Sequence, residues 1–502
     1  MGGEETRVEP RRRGTMAAMS DLLPPLDDPG AKEAIRVGER ALTYADLAGA
    51  AAAVAGAIAG AARVAVFAEP RLETCVAAVG ALEAGVPFTP VNPKAGEREL
   101  EHMLSDSAPE MVLTAAGVEL PAAFAHIARV DVDADARAGA PATAPGDVDP
   151  EAPAVIVYTS GTTGPPKGAV LPRRAIASNL DALADAWAWT GDDVLAHALP
   201  LFHVHGLILG VLGPLRLGGT VHHLVRFDSA AMAAELGGPA TMMFGVPTMY
   251  NRLAGDAEED HGIAEAIGRA RVLISGSAPL PAAQHARIER LSGQRIVERY
   301  GMSETLMNTA VRFDGERRAG TVGLALPGVD LRLVDDDGAP IAATDDETVG
   351  EIQVRGPNLF LEYLNRPDAT AEAFDGDWFL TGDVATREPD GYIRLIGRKA
   401  TDLIKSGGFK IGAGEIEAAL LEHPQIKEAA ITGEPDPDLG ERIVAWIVPA
   451  GDTPPPEDEV VDHVARLLTP HKRPREVRFL DELPRNDMGK VMKNRLQPAA
   501  GG

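Results

Sequence analysis

Residues 154–168 read Ala154-Val155-Ile156-Val157-Tyr158-Thr159-Ser160-Gly161-Thr162-Thr163-Gly164-Pro165-Pro166-Lys167-Gly168. An apolar, β-branched run that breaks at once into hydroxyls, glycines and prolines predicts a buried strand ending in a loop. The loop has the groups a polyphosphate needs. Glycines let backbone N–H groups approach anionic oxygens, hydroxyls donate, and Lys167 supplies a point charge. It lacks the Gly-Lys-Ser/Thr of a Walker loop, so it does not imply the P-loop fold.

Outward from this segment, helical apolar stretches alternate with short β-rich runs such as residues 64–67 and 271–274, which predicts parallel sheets flanked by helices. Between residues 331 and 398 the texture changes. Short strand-like runs at 331–334, 351–354 and 392–396 are separated by Asp-Gly and Gly-Pro turns, as in a β-rich subdomain. A new α/β pattern follows, with a helix over 415–422 and a strand over 444–448. The expected organisation is an extension over 1–20, read as disordered, a large domain over 21–398 and a small one over 399–502, with the boundary near 399–402. Two domains suit 502 residues, since single cores stop growing at roughly 250–300 residues.

The 74 acidic and 48 basic residues give a formal charge of -26, which argues against nucleic acid or an anionic membrane as partner. An anionic substrate then needs local cations. Cys75 is the only cysteine, excluding a disulfide framework and a cysteine zinc site, and fits a reducing cytoplasm. The first twenty residues, with Arg11-Arg12-Arg13, lack the apolar core of a secretory signal. The apolar stretches 47–62 and 199–215 fall short of a membrane span.

Further motifs follow in order: Leu199-Pro200-Leu201-Phe202-His203-Val204-His205-Gly206, Ser277-Ala278-Pro279, Tyr300-Gly301-Met302-Ser303-Glu304, Thr381-Gly382-Asp383, Gly397-Arg398 and Pro484-Arg485-Asn486-Asp487-Met488-Gly489-Lys490. Together with the loop, they resemble the signatures of the adenylate-forming superfamily over about residues 40–495. The resemblance implies an α/β fold, a large N-terminal domain of flanked sheets plus a β-rich subdomain, with a small mobile C-terminal α+β domain.

It also implies the chemistry, in which a carboxylate attacks the α-phosphorus of ATP and the acyl group then passes to coenzyme A. Bringing two anions together calls for cations and positioned donors. By resemblance, Thr159, Ser160, Gly161, Thr162, Thr163, Gly164 and Lys167 hold phosphates. Thr162 and Glu304 lie near Mg2+, and Ser277, Ala278, Pro279, Glu298, Arg299, Tyr300, Gly301, Met302 and Ser303 frame adenine and α-phosphate. Asp383, with Arg398, takes the ribose, and Lys490 bridges the α-phosphate and the attacking carboxylate. Ser406, Gly407 and Gly408, in the run 406–412, would pass CoA close to the backbone. Relatives carry Asp or Lys at the hinge, where this chain has Ala400 in a stretch that reads one residue longer.

Arg299 precedes the Tyr-Gly of its motif, at a pocket position commonly small in relatives. A guanidinium there favours a second carboxylate, because an unpaired buried charge costs several kcal/mol. Ser277 is a second donor, Arg252 reaches in from a helix, and His203 shapes the acyl site. The run from Arg299 to Thr309 resembles the malonyl-CoA synthetases, which implies malonate or methylmalonate, ATP and CoA as substrates. One methyl is worth only roughly 1–3 kcal/mol, so the two acids are not separated. The competing expectation is another small-acid synthetase or an enzyme loading a carrier protein, whose amino-acid version needs an acid near His203 where Val204 and Leu207 stand. Oligomeric state is not legible, and no Cys or carboxylate accompanies His203 and His205 at metal-ligand spacing.

Overall fold

The computed structural model describes residues 22–137, 149–159, 166–399, 402–407, 409–451, 453–485 and 491–496. The strand expected at 154–158 is Pro153–Thr159. It pairs antiparallel with Lys167–Pro172, which sets Thr159 opposite Lys167 at the loop end of the hairpin. The hairpin lies in a seven-stranded sheet beside the parallel strands Phe88–Val91, Val64–Phe67 and Met111–Ala115.

A second, nine-stranded sheet contains Thr220–His223, Val194–His197, Met242–Gly245, Val272–Ser275 and Val297–Met302 as parallel neighbours. Helix Leu72–Glu83 is buried from Leu72 to Leu82 and touches strands of both sheets. An apolar surface on every side suits a helix enclosed in this way. At Gly80 a Cβ would lie 2.6 Å from Val54 Cβ, so the helix can approach Tyr44–Ala57 only through a glycine. In the nine-stranded sheet His197, Gly245 and Ser275 all stand at carboxyl ends of parallel strands, where open α/β sheets form their crevices.

The β-rich stretch forms an antiparallel sheet from Asp330–Val334, Gly350–Arg355, Trp378–Arg387 and Ile393–Arg398. A fourth sheet takes its strands from 403–479 and has its own core of Ile404, Ile416, Ile431 and Ile443. The helix expected over 415–422 is Ala413–Leu420. It starts two residues early, directly after Gly412, which passes so close to Ile396 that a Cβ would lie 2.3 Å from its Cγ2. The architecture is the expected mixed α/β one, and among the described residues no helix is long and apolar enough to cross a membrane.

Candidate active site

Glu304 is buried, and its Oε1 accepts a 2.8 Å hydrogen bond from the Tyr363 hydroxyl. The Lys167 ammonium sits 4.2 Å from the centroid of the same ring. Tyr363 reaches this place because Glu362–Tyr363 pairs with Val170 and Ala169 on the hairpin, and because the Phe360 amide donates to the Glu304 carbonyl. Burial first, then Glu304, pushes the Tyr363 phenol well up, so it remains a donor. One tyrosine, unmarked in the sequence, thus joins the hairpin lysine to the glutamate of the Tyr-Gly-Met-Ser-Glu motif. Ser160, Gly161, Thr162, Thr163 and Gly164 lie outside the described residues.

Strand pairing sets Asp383 opposite Arg398. Asp383 Oδ1 meets Arg398 Nε at 2.9 Å, its Oδ2 accepts from the Tyr300 hydroxyl at 2.6 Å, and Arg398 Nη1 donates to the Thr381 carbonyl at 2.9 Å. A carboxylate has about four lone-pair directions, which lets Asp383 serve several donors at once. Beyond Arg398, its amide donates to Asp402 Oδ2 at 2.9 Å, and Asp402 Oδ1 meets Lys493 at 2.7 Å. Ala400 and Lys490 lie outside the described residues.

Arg299 is 7% exposed, and neither its Nε nor its Nη2 has a hydrogen-bond partner. Burial lowers its pKa to about 10. The guanidinium lies over Gly276, where a Cβ would come within 2.3 Å of its Cζ. Beside it His205 is buried with Nε2 unpartnered, and its Nδ1 is 3.4 Å from Ser277 Oγ. Burial, then Arg299, His197 and His203, holds His205 well below its ordinary pKa and therefore neutral. His197 Nε2 and Ser275 Oγ are also buried without partners. Five of the eleven such atoms among the described residues thus belong to four side chains: His197 and Ser275 at carboxyl ends of parallel strands, Arg299 on strand Val297–Met302, and His205 on the helix Val204–Leu212. Buried polar atoms are ordinarily satisfied, and such a concentration points to a missing ligand.

Ser277, with φ of +70°, Ala278 and Pro279 form an exposed rim. A non-glycine residue there is strained, as at ligand-binding turns. Gly301, Met302 and Ser303 are half-buried, and a Cβ on Gly301 would lie 1.9 Å from the Leu306 carbonyl oxygen. His203 is half-buried at the start of the π-helix Val204–Leu212, and its ring lies 4.5 Å from that of Phe202. Arg252 is exposed on helix Pro247–Glu259.

Glu298 departs from its expected place beside the nucleotide. Its carboxylate turns to His285 Nε2 at 2.8 Å and to the Leu280 amide at 3.2 Å, so it holds the loop behind the rim. Strand alternation is the reason, since Arg299 and Glu298 point to opposite faces. In the smaller unit Ser406 is buried, Gly407 has φ of +58° with its amide bonded to the Leu439 carbonyl, and Gly408 lies outside the described residues.

Among the described residues no cluster of His, Cys, Asp or Glu could hold a metal by itself. Glu304 offers a hard oxygen beside the hairpin, which suits Mg2+ carried mainly by phosphates and water.

A profile of the AMP-binding enzyme family matches residues 26–364, and one of the AMP-binding enzyme C-terminal domain matches 415–490. A malonate–CoA ligase of Arabidopsis thaliana is 38% identical over 372 residues, 69% of this chain and 60% of that protein. A malonyl-CoA ligase solved as a ternary product complex with methylmalonyl-CoA and AMP is 62% identical, with a TM-score of 0.73 over 92% of this chain and 99% of that one. ATP-bound MatB from Rhodopseudomonas palustris is 35% identical, with a TM-score of 0.86 over 96% and 98%. By the two profiles and these relatives, the chain belongs to the AMP-binding enzyme family of adenylate-forming acyl-CoA ligases.

Proposed function

We propose that the chain is a malonate–CoA ligase that also takes methylmalonate. A malonate oxygen attacks the α-phosphorus of ATP, the bond to pyrophosphate breaks, and malonyl-adenylate forms. The CoA thiol then attacks the acyl carbon, AMP departs with the electron pair of its bond, and the thiol proton passes to solvent. The observation that carries the choice of acid is the buried, unpartnered guanidinium of Arg299, with His205 and Ser277 beside it. A second carboxylate supplies the bidentate acceptor that Arg299 lacks. An alkyl tail would leave the charge buried and unpaired. The malonate–CoA ligases among the relatives support the same reading.

In this reading Thr159, Ser160, Gly161, Thr162, Thr163, Gly164 and Lys167 receive the phosphates. Glu304 and Thr162 face the Mg2+, which neutralises phosphate charge when bound. Asp383 and Arg398 take the ribose, while Ser277, Ala278, Pro279 and residues 300–303 line the adenine side. Lys490 reaches the reacting carboxylate, His203 and Arg252 border the malonate, and Ser406, Gly407 and Gly408 admit pantetheine. We place the domain boundary at 399–402 and the enzyme in the cytoplasm. The 62% identical product complex superposes less well than the 35% identical ATP-bound enzyme. Close sequence relatives share domain backbones, so we read the difference as one of domain placement, this chain being nearer the ATP-bound arrangement.

The test is ATP- and CoA-dependent AMP formation with malonate, methylmalonate, succinate, acetate and benzoate side by side. Malonate and methylmalonate should lead. Turnover of a monoacid alone would keep the ligase and overturn the role given to Arg299.

A further inference from the structure

We infer that His102 and Asp106, on helix Glu97–Ser107, are positioning residues for ATP binding, fastening both ends of the phosphate segment to one turn of helix. The inference rests on reading residues 159–167 as phosphate-holding. At the exit, His102 Nε2 lies 2.8 Å from the Pro166 carbonyl oxygen, immediately before Lys167. A carbonyl only accepts, so Nε2 carries the proton. At the entry, the Tyr158 hydroxyl donates to Asp106 Oδ2 at 2.8 Å, and burial first, then Asp106, pushes that phenol well up.

The two ends are also locked to each other. The Tyr158 ring meets the His102 ring edge-on, with centroids 6.3 Å apart at 85°. It also lies across Gly168, where a Cβ would come within 3.1 Å of its Cζ. Asp106 holds a third segment, since Asn365 Nδ2 donates to its backbone oxygen at 2.8 Å and to its Oδ1 at 3.2 Å. Asn365, with φ of +55°, closes the turn after Tyr363, the residue that carries Lys167 and Glu304. Residues four apart share a helix face, so a single face gathers the entry strand, the exit residue and the turn bearing Tyr363. Both side chains are half-buried, so trimming either opens its former partner to water instead of stranding it in the core.

The experiment measures KM for ATP and for malonate, kcat and the thermal midpoint in wild type, His102→Ala, His102→Gln, Asp106→Asn and Lys167→Met. His102→Ala should raise KM for ATP roughly three- to tenfold, the range of one net hydrogen bond, with KM for malonate and the midpoint nearly unchanged. His102→Gln, whose amide can donate to the same carbonyl, should restore most of the loss, and Asp106→Asn should weaken ATP more than malonate. An unaltered KM for ATP in His102→Ala, or a loss confined to kcat and the midpoint, would overturn the positioning role. Lys167→Met separates the two readings. If it too leaves KM for ATP unchanged, the phosphate assignment itself falls. If it alone raises KM, only the role of the helix falls.

Discussion

Replacing Arg299 by methionine keeps the length of the side chain and removes its charge. The guanidinium has a pKa of about 10, well below its ordinary value, and burial is the cause. At 1.36 kcal/mol per pKa unit, holding the charge there costs about 3 kcal/mol. Below pH 10 the group is charged both folded and unfolded, so this cost is constant through the working range and eases only as pH rises above that. Arg299→Met should therefore fold more stably than the wild type in the absence of substrate, by up to about 3 kcal/mol, or roughly 5 °C in thermal midpoint for a domain of this size. The same change removes the partner of the second carboxylate, and kcat/KM for malonate should fall on the order of 10²- to 10³-fold. Scanning calorimetry with and without malonate, set beside steady-state AMP release, reads both effects. A variant that melts lower than wild type and still turns over malonate normally would refute the reasoning at both ends.

Three further outcomes are expected. Tyr363→Phe keeps the ring beneath Lys167 but leaves Glu304 without its 2.8 Å donor, so ATP use should fall about tenfold and demand more Mg2+, read from a magnesium titration of AMP release. Asp383→Ala strips the buried Tyr300 hydroxyl and Arg398 of their acceptor and should raise KM for ATP at least tenfold while KM for malonate changes little, as separate substrate titrations would record. Burial holds His197, His205 and His223 below the ordinary histidine value, so the unfolded chain takes up protons the folded one refuses. Stability should drop as pH falls below about 6.5, at up to about 4 kcal/mol per pH unit, and His197→Asn should show a shallower slope of thermal midpoint against pH.

Much of this site was legible in the chain because its motifs are short and local. Thr159 and Lys167 needed only an apolar run broken by glycines, and Asp383 and Arg398 sit in strands that pair directly. Tyr363 was not legible, because its importance depends on a two-residue strand laid against Val170 and Ala169, a pairing no local pattern announces. Of His203 and His205, the sequence reading names only His203 for the acyl site. The π-helix starting at Val204 turns His205 inward to Ser277 and leaves His203 half-buried by Phe202. Glu298 was misplaced for a reason the sequence did contain. Adjacent strand residues face opposite ways, so Arg299 in the pocket already put Glu298 behind it.

The bare backbone of Gly276 beneath Arg299 bears on how such an enzyme could change its substrate over evolutionary time. Filling the pocket for a neutral acid requires both losing the guanidinium and adding bulk at 276. Bulk at 276 introduced first would push the flexible end of the Arg299 side chain off its place, whereas losing the arginine first leaves room at 276 unused. Either change alone weakens the hold on a second carboxylate, and position 276 and position 299 are therefore coupled in any drift away from dicarboxylates.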